Sequence, residues 1–157
     1  MHIRLAQTSE CDLLFKWARS KRNSKVNFLS KKKTLKEHRE WFKWTRSRHK
    51  CLHENCEDCP TRLDILIGFR NNKPMGVVTC AYDGELEIFM CPYYHYKGLG
   101  RDLLWCCVDW LAVNRKIKHK GEPLEYLYAN CVSVASKRLF DKAGFIQMPC
   151  GDYAMDL

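Results

Sequence analysis

The chain has 157 residues, with 27 lysines and arginines against 18 acidic residues and a formal net charge of +9. This length predicts one domain, residues 1–157, that can bury roughly two thirds of its unfolded surface. The sequence has no apolar run of about 18 residues and no apolar signal-peptide core near its N-terminus, so we expect a cytoplasmic protein without a membrane span.

The positive charge is concentrated between Lys16 and Lys50, where 14 lysines and arginines face only Glu37 and Glu40. A field of this sign favours an anionic partner such as coenzyme A, a nucleotide-linked substrate, a nucleic acid or an acidic protein. A plain solubilising surface is the alternative.

Ten cysteines would indicate disulfides in a secreted chain, but most of them lie in apolar segments here. We therefore expect reduced core thiols in a cytosolic protein. The examples are Cys80, Cys91, Cys106, Cys107 and Cys131.

The N-terminal part predicts one strand and two helices. His2 to Ala6 favours a strand, and Thr8 or Ser9 can cap the first helix. Thr34 and Glu37 have capping-box spacing and open the second helix. Both helices carry apolar or aromatic residues at helical spacing: Leu13, Leu14, Trp17 and Ala18 in the first, and His38, Trp41 and Phe42 in the second.

A cysteine-bearing loop, residues 51–62, follows the second helix. Nine consecutive residues of this loop contain four soft or borderline metal ligands. These ligands could hold a tetrahedral zinc ion and so order the loop. A redox-active or free cysteine loop is the alternative. The four predicted ligands are Cys51, His53, Cys56 and Cys59.

Three strands come next. The runs Leu63 to Phe69 and Met75 to Tyr82 are joined by a turn segment, residues 71–74, and Asp83-Gly84 makes a tight turn into a strand from Glu85 to Cys91. This order predicts an antiparallel meander.

The segment Pro92 to Arg101 joins that strand to a helix that begins near Gly98. Gly98 and Gly100 let the backbone pack tightly at the helix start, where unpaired N–H groups and the helix dipole attract an anion. Lys97 and Arg101 add positive charge. We interpret the segment as a diphosphate cradle, and a glycine-rich connection without a ligand is the alternative.

The C-terminal part predicts a helix along Leu103 to Leu111, a strand from Glu125 to Cys131, a last helix from Ser133 to Ala143 that ends at Gly144, and two short strands. Helices and strands mixed in this order predict an α/β (α+β) fold.

The run from Glu85 to Leu104 resembles the acetyl-CoA-binding motif of the GNAT superfamily of N-acetyltransferases, Pro-x-x-Arg/Gln-x-x-Gly-x-Gly/Ala after a hydrophobic strand. His95 stands where Arg or Gln is usual. Ser133 to Phe145 is similar to a second family segment, Asn-x-x-Ser-x-x-Leu-Tyr-x-Lys-x-Gly-Phe. The resemblance covers most of the chain and implies the GNAT fold, with a mixed, mainly antiparallel sheet of about six or seven strands and about four flanking helices.

The resemblance also implies that acetyl-CoA binds to this chain. In the family, the strand before the glycine loop splays from its neighbour and holds the pantetheine arm, and here that strand is Ile88 to Cys91. The backbone N–H of Met90 would contact the thioester oxygen, and Tyr96 through Arg101 would hold the pyrophosphate. The predicted cofactor-binding residues are Ile88, Phe89, Met90, Cys91, His95, Tyr96, Lys97, Gly98, Leu99, Gly100, Arg101, Asn130, Ser133, Ser136 and Phe140.

Acetyl transfer to an amine needs a base, a polarised carbonyl and a proton for the leaving thiolate. Glu85 and Glu87 project from one face of their strand and are the first candidates for the base, with plain exposed carboxylates as the alternative. His38 is the other candidate, because imidazole titrates near neutral pH. We expect direct attack by the amine in a ternary complex, since no acyl-carrying nucleophile is evident.

The group that protonates the thiolate departs from the family pattern. A tyrosine is common in the last helix, where this chain has Phe140. Tyr128 is the predicted replacement, with Tyr126, Ser133 and Asn130 as further candidates. A protein that binds acyl-CoA without turning it over is the alternative.

The N-terminal part is similar to GNAT enzymes that acetylate nucleotide-linked amino sugars, as in the pseudaminic acid pathway, through Leu-x-x-Trp at Trp17 and Glu-His-x-x-Trp-Phe at Trp41. This implies a small, anionic amine acceptor, bound by a monomer or a homodimer. A protein or peptide acetyltransferase and a nucleic-acid-modifying or nucleic-acid-binding GNAT are alternatives. The predicted substrate-binding residues are Trp17, Arg19, Arg22, Phe28 and Trp41.

Overall fold

The computed structural model describes residues 1–21, 23, 34–49, 63–114 and 125–157. Arg22, Phe28 and the predicted zinc ligands lie outside these ranges. The described elements are β1 (His2–Leu5), α1 (Cys11–Ala18), α2 (Leu35–His49), β2 (Leu63–Arg70), β3 (Lys73–Ala81), β4 (Leu86–Met90), α3 (Leu99–Asn114), β5 (Tyr126–Ala129), α4 (Val134–Lys142), β6 (Ile146–Gln147) and β7 (Tyr153–Asp156).

These strands form two sheets instead of one continuous sheet. The first has the order β1-β2-β3-β4 and the second the order β5-β7-β6, and neighbours within each sheet are antiparallel. A parallel bridge between Glu85 and Tyr128 joins them, and the Tyr128 N–H donates to the Gly84 carbonyl over 3.0 Å. The predicted meander and strand number are confirmed, and the sheet divides between β4 and β5.

The two hairpin turns of the meander follow from residues that adopt positive φ. Asn71 and Asn72 have φ of 51° and 58°, so the β2–β3 turn has two residues and Pro74 lies within β3. Gly84 has φ of 96° in the next turn. Both turns lie where the sequence predicts them, although the first is shorter.

The cap predicted for α1 is wrong, and the one for α2 is confirmed. Thr8 and Ser9 lie inside a 3-10 turn, and the Gln7 N–H donates to the Glu10 carboxylate over 2.7 Å before α1 begins. In α2, the Thr34 N–H donates to Glu37 over 2.5 Å and the Glu37 N–H donates to the Thr34 hydroxyl over 3.2 Å.

The core has two parts, one on each face of the first sheet. On one face α3 and α4 pack against β2, β3 and the second sheet, through residues such as Leu66, Leu103 and Leu127. On the other face α1 and α2 pack through residues such as Leu14 and Phe42. We call these the α3 face and the α1 face.

Two paired glycines bring α3 close to the sheet. Gly68 on β2 lies opposite Gly76 on β3. A Cβ added to Gly68 would lie 2.2 Å from Leu103 Cδ1, and one added to Gly76 would lie 2.6 Å from Leu103 Cδ2. Neither distance is possible for real atoms, so this pair of glycines determines how closely α3, and the loop before it, can approach β4.

The five cysteines that the sequence predicts in the core are buried or half-buried, and their reduced state stays a prediction. Cys80, Cys107 and Cys131 are buried, and Cys91 and Cys106 are half-buried. None of the helices in the described ranges has the length and apolar character needed to cross a bilayer.

Candidate functional site

The first part of the candidate site is the gap between β4 and β5. The Cys91 N–H donates to the Met75 carbonyl over 2.8 Å, which places Cys91 at a hydrogen-bonded position of the β3–β4 pair. Such positions alternate with positions whose N–H and C=O groups point away from the partner strand. The backbone groups of Ile88 and Met90 therefore point away from β3, to the side where β5 diverges from β4.

The second part is the loop between β4 and α3. A 3-10 turn (Pro92–Tyr94) is followed by Tyr96 and Gly98 with φ of 60° and 73°, and α3 begins at Leu99. A Cβ on Gly98 would meet no atom within 4 Å, so backbone conformation, and not space, favours glycine there. The N–H groups of the first turn of α3 and the helix dipole create a positive potential at this end of the helix, which suits an anion.

Gly100 differs from Gly98, because neither its backbone conformation nor its surroundings require glycine. A Cβ there would lie 3.4 Å from Leu139 on α4, an ordinary van der Waals contact. Alanine is thus compatible with this position, as the Gly/Ala alternative in the resembled motif implies. Leu99 beside it is buried in the core of the α3 face.

The predicted basic residues of the loop lie at its surface. Lys97 places its Nζ 3.9 Å from the centre of the Tyr93 ring, a cation–π contact. Arg101 lies 3.7 Å from the Asp102 carboxylate and is more than half exposed. Tyr96 is 87% exposed. These side chains surround the cradle without filling it.

His95 lies against protein groups, although the sequence predicts it among the cofactor-binding residues. Its Nε2 lies 3.0 Å from Asn23 Oδ1 and 3.1 Å from the Met90 carbonyl oxygen. The Asn23 amide nitrogen donates to the Met90 and Trp17 carbonyls, each over 2.9 Å. Asn23 was not identified from the sequence, because its contacts lie far along the chain and no local pattern reveals them.

The other residues predicted on β4 divide between the two faces. Phe89 is buried on the α1 face, so Glu85 and Glu87, which alternate in phase with it, belong to that face too. The pKa of Glu85 is raised, first by partial burial of its carboxylate and then by the charges of Asp83 and Asp152. This moves the carboxylate toward the range of a general base.

Tyr128 is a poorer acid than the sequence alone indicates. Its hydroxyl donates to the Asp83 carboxylate over 2.7 Å. Burial and this hydrogen bond raise the pKa of Tyr128 well above its usual range. Proton transfer from Tyr128 to a thiolate, whose acid has a pKa of about 8.5, is therefore uphill.

A cavity of about 870 Å³ adjoins the closed end of the gap. Tyr126 and Tyr128 alternate with buried Leu127 and Ala129, so they face away from α3 and line this cavity. Its lining combines carboxylates with aromatic and apolar groups. The main lining residues are Asp83, Tyr126, Tyr128, Ile146, Asp152 and Asp156.

The candidates on α1 and α2 form an aromatic cluster. His38 is fully buried, with its ring centre 5.2 Å from Phe15 and 5.5 Å from Trp41. Trp17 is 6% exposed in the core of the α1 face. Arg19 is at the surface, 5.3 Å from the Phe15 ring centre. The His38 ring is therefore part of this buried aromatic cluster.

The candidates near α4 have structural contacts. Ser133 and Ser136 form the capping box of α4, with the Ser136 N–H donating to the Ser133 hydroxyl over 3.0 Å. Asn130 donates to Asp152 over 3.0 Å. Phe140 is 2% exposed and packs edge-on against Phe145, with 4.9 Å between ring centres. The ring therefore lies in the core, and its contact with the cofactor stays a prediction.

Among the described residues, no cluster of three or more His, Cys, Asp or Glu side chains is arranged to hold a metal ion. The predicted Cys-His zinc segment lies outside those residues.

No protein-family model and no curated protein matches the chain. Solved structures do. The aminoglycoside acetyltransferase AAC(6')-Ib, in complex with coenzyme A and kanamycin, superposes with a TM-score of 0.68 at 15% identity, over 99% of this chain and 94% of that one. Ribosomal-protein-alanine N-acetyltransferase from Brucella melitensis gives 0.66 at 16% identity over 100% of both chains. A chimera of the spermidine N-acetyltransferase SpeG from Vibrio cholerae and hSSAT gives 0.64 at 13% identity, over 99% and 92%.

The TM-scores establish a shared fold, and identities this low establish nothing beyond the fold. The neighbours are GNAT-type N-acetyltransferases, and the β4–β5 gap and the glycine turn before α3 occur here at the places that the resemblance implies. The chain therefore has the GNAT fold.

Proposed function

We propose that this chain is a single-domain, acetyl-CoA-dependent N-acetyltransferase that acts on a primary amine. The observation that carries the proposal is the continuity of the β4–β5 gap with the cradle at the start of α3. The backbone N–H and C=O groups of Ile88 and the N–H of Met90 point toward the gap, and the first turn of α3 offers an anion site at its end. The Met90 carbonyl already accepts from Asn23 and His95.

The residues present fit acetyl-CoA. The first turn of α3 would bind the diphosphate, with Lys97 and Arg101 adding charge, and β4 would pair with the pantetheine amides. Acetyl-CoA supplies the activated acetyl group. The Met90 N–H would polarise the thioester carbonyl. Five residues of extended strand, about 16 Å, separate Glu85 from Met90, so Glu85, with its raised pKa, would accept the proton of the attacking amine through water in the cavity.

For the acceptor we propose a nucleotide-linked amino sugar, the class that the N-terminal resemblance implies. The amine would enter the cavity, where Asp83 and Asp152, the carboxylates whose charges act on Glu85, favour an ammonium group. Arg19, which lies at the surface, would contact a nucleotide phosphate. Structural neighbours bind other small amines, since the AAC(6')-Ib structure contains kanamycin.

A second candidate is a module that binds acyl-CoA without turnover. The observation in its favour is that neither Phe140, which stands at the position of the family's tyrosine, nor Tyr128, its predicted replacement, is a good acid for the thiolate. Phe140 has no hydroxyl and is buried, and the Tyr128 hydroxyl donates to Asp83 with a raised pKa.

Release of free CoA thiol from acetyl-CoA tests the two candidates. We expect thiol release with a nucleotide-linked amino sugar, and spermidine, kanamycin and a peptide serve as comparison acceptors. Glu85→Gln and Glu87→Gln are made separately, and we expect Glu85→Gln to lower kcat by about a hundredfold or more, as for loss of a general base.

CoA binding by calorimetry with no thiol release for any amine would favour the non-catalytic module. Equal kcat in both glutamine variants would contradict the assignment of the base. Turnover with spermidine but not with the sugar nucleotide would replace the proposed acceptor. A structural zinc ion bound by Cys51, His53, Cys56 and Cys59 stays a prediction from the sequence.

A further inference from the structure

We infer that Asn23 and His95 are positioning residues that together clamp the end of β4, and thereby hold the cofactor cradle in its binding conformation. We call the two residues and the Met90 carbonyl the β4 clamp. The inference rests on the proposed function, because it assigns the clamp to the acetyl-CoA site.

The Asn23 side chain has all its polar groups engaged. An amide offers two N–H donors and one carbonyl acceptor. The two donors reach the Trp17 and Met90 carbonyls, each over 2.9 Å, and Oδ1 lies 3.0 Å from His95 Nε2. Asn23 is only 2% exposed. The opposite amide orientation would place Oδ1 against two carbonyl oxygens, so only one orientation satisfies the site.

The same contacts determine the tautomer of His95. Its Nε2 lies between two acceptors, Asn23 Oδ1 and the Met90 carbonyl oxygen at 3.1 Å. Nε2 must therefore carry the proton and donate it. The Met90 carbonyl consequently accepts from both residues of the clamp.

The clamp joins three parts of the site. Trp17 belongs to α1, Met90 ends β4, and His95 directly precedes Tyr96, whose φ of 60° is a left-handed conformation uncommon for a residue with a side chain. Such a conformation persists when the surrounding structure holds it. His95 is the adjacent anchor, so the clamp orients both the backbone of Met90 and the entrance to the cradle.

This role differs from direct phosphate binding, the other role open to a residue that the sequence predicts among the cofactor-binding residues. A clamp needs a short donor at the place of Nε2, and a glutamine amide can supply one. Arginine adds charge but is too long for the half-buried space. Under the clamp, His95→Gln retains CoA binding and His95→Arg loses it. Under phosphate binding, His95→Arg binds CoA at least as tightly as the wild type.

The experiment measures the dissociation constant of CoA by calorimetry, which requires no turnover. We expect Asn23→Ala and His95→Phe each to raise it about tenfold, as when a buried partner is left unsatisfied, and the double variant also to raise it about tenfold because both act through one contact. Asn114→Ala is the matched control, since that amide also donates to a backbone carbonyl but at the far end of α3.

Hydrogen exchange of the unliganded protein gives a readout independent of CoA. The amides of Cys91 and Tyr94, which donate within and beside the cradle, should exchange faster in Asn23→Ala and in His95→Phe, whereas amides in the middle of α3 should not change. Unchanged exchange at Cys91 and Tyr94 would overturn the clamp, as would tight CoA binding by His95→Arg. Failure of the wild type to bind CoA would overturn the proposed function, and the exchange rates would still decide the clamp.

Discussion

Glu85 shows how single residues of the site acquire their properties from strands distant in sequence. Its pKa is raised first by partial burial and then by Asp83 and Asp152, the second of which comes from the segment before β7. A base must be deprotonated to act, so this pKa should appear as the acidic limb of the pH dependence of kcat/KM.

Replacing Asp83 with asparagine should move that acidic limb to lower pH. The change removes one negative charge beside Glu85, so the Glu85 carboxylate loses its proton more readily and its pKa falls toward the ordinary value. The limb should move only partway, because burial is the larger cause. The pH profile of kcat/KM measures it.

Asp109→Asn is the matched control, because Asp109 is an exposed carboxylate on α3. Its profile should coincide with that of the wild type. An acidic limb that stays in place in Asp83→Asn, or that persists in Glu85→Gln, would show that another group titrates.

Local patterns identify residues whose role is local. The Thr34–Glu37 box, the Asn71-Asn72 turn and the φ of Gly98 are all consequences of neighbours in sequence. The contact of Tyr128 with Asp83 spans 45 positions, and that of His95 with Asn23 spans 72. No period or motif in one sequence encodes such pairs, so their roles could not be predicted.

At the scale of elements, the closeness of α3 to the sheet depends on a glycine pair. Gly68 and Gly76 look like ordinary strand glycines in the sequence, and their register and the burial of Leu103 between them become visible only in the packed structure. The helix was predicted from its apolar face, but its distance from β4 was not.

Gly76→Ala should lower the free energy of unfolding by about 1–3 kcal/mol, the usual cost of overpacking a core. The new Cβ would lie 2.6 Å from Leu103 Cδ2 and 3.1 Å from the Phe89 carbonyl oxygen. Because α3 must retreat, we also expect weaker CoA binding. Denaturant unfolding and calorimetry measure the two effects.

Gly100→Ala is the control for stability, since its Cβ would make an ordinary 3.4 Å contact with Leu139. Alanine also forms helix more readily, so this variant should be as stable as the wild type or slightly more stable. The double variant Gly76→Ala/Leu103→Ala should lose less free energy of unfolding than the sum of the losses in the two single variants. Full additivity would mean that Leu103 is not what excludes a side chain at Gly76.

At the scale of the whole molecule, the predicted order of helices and strands along the chain is confirmed for the described residues, and the division into two sheets is not visible in the sequence. Each strand has its own apolar pattern, whereas the separation of β4 from β5 depends on which backbone groups find partners. The resemblance implied that β4 diverges from its neighbour, and the structure shows that the gap between β4 and β5 is closed at one end by the bridge of Glu85 and Tyr128.

The zinc hypothesis also concerns the whole molecule, because a structural metal contributes to folding. If Cys51, His53, Cys56 and Cys59 hold zinc, natively purified protein should contain about one zinc per chain, and a chelator should lower its melting temperature. Elemental analysis and thermal unfolding test this. Zinc content near zero, with a melting temperature unaffected by chelator, would remove the hypothesis.

The β4 clamp joins two parts of the chain that lie far apart in sequence. The hydrogen bond from Asn23 to Met90 joins residues 67 positions apart, so it closes a long loop whose entropy must be lost before the bond forms. A fragment that began at β2 would contain the whole glycine motif, its strand and its helix, yet it would lack the amide that orients Met90. Under the proposed function, the unit that would bind the cofactor is therefore larger than the glycine motif, because it also needs the part of the chain that carries Asn23.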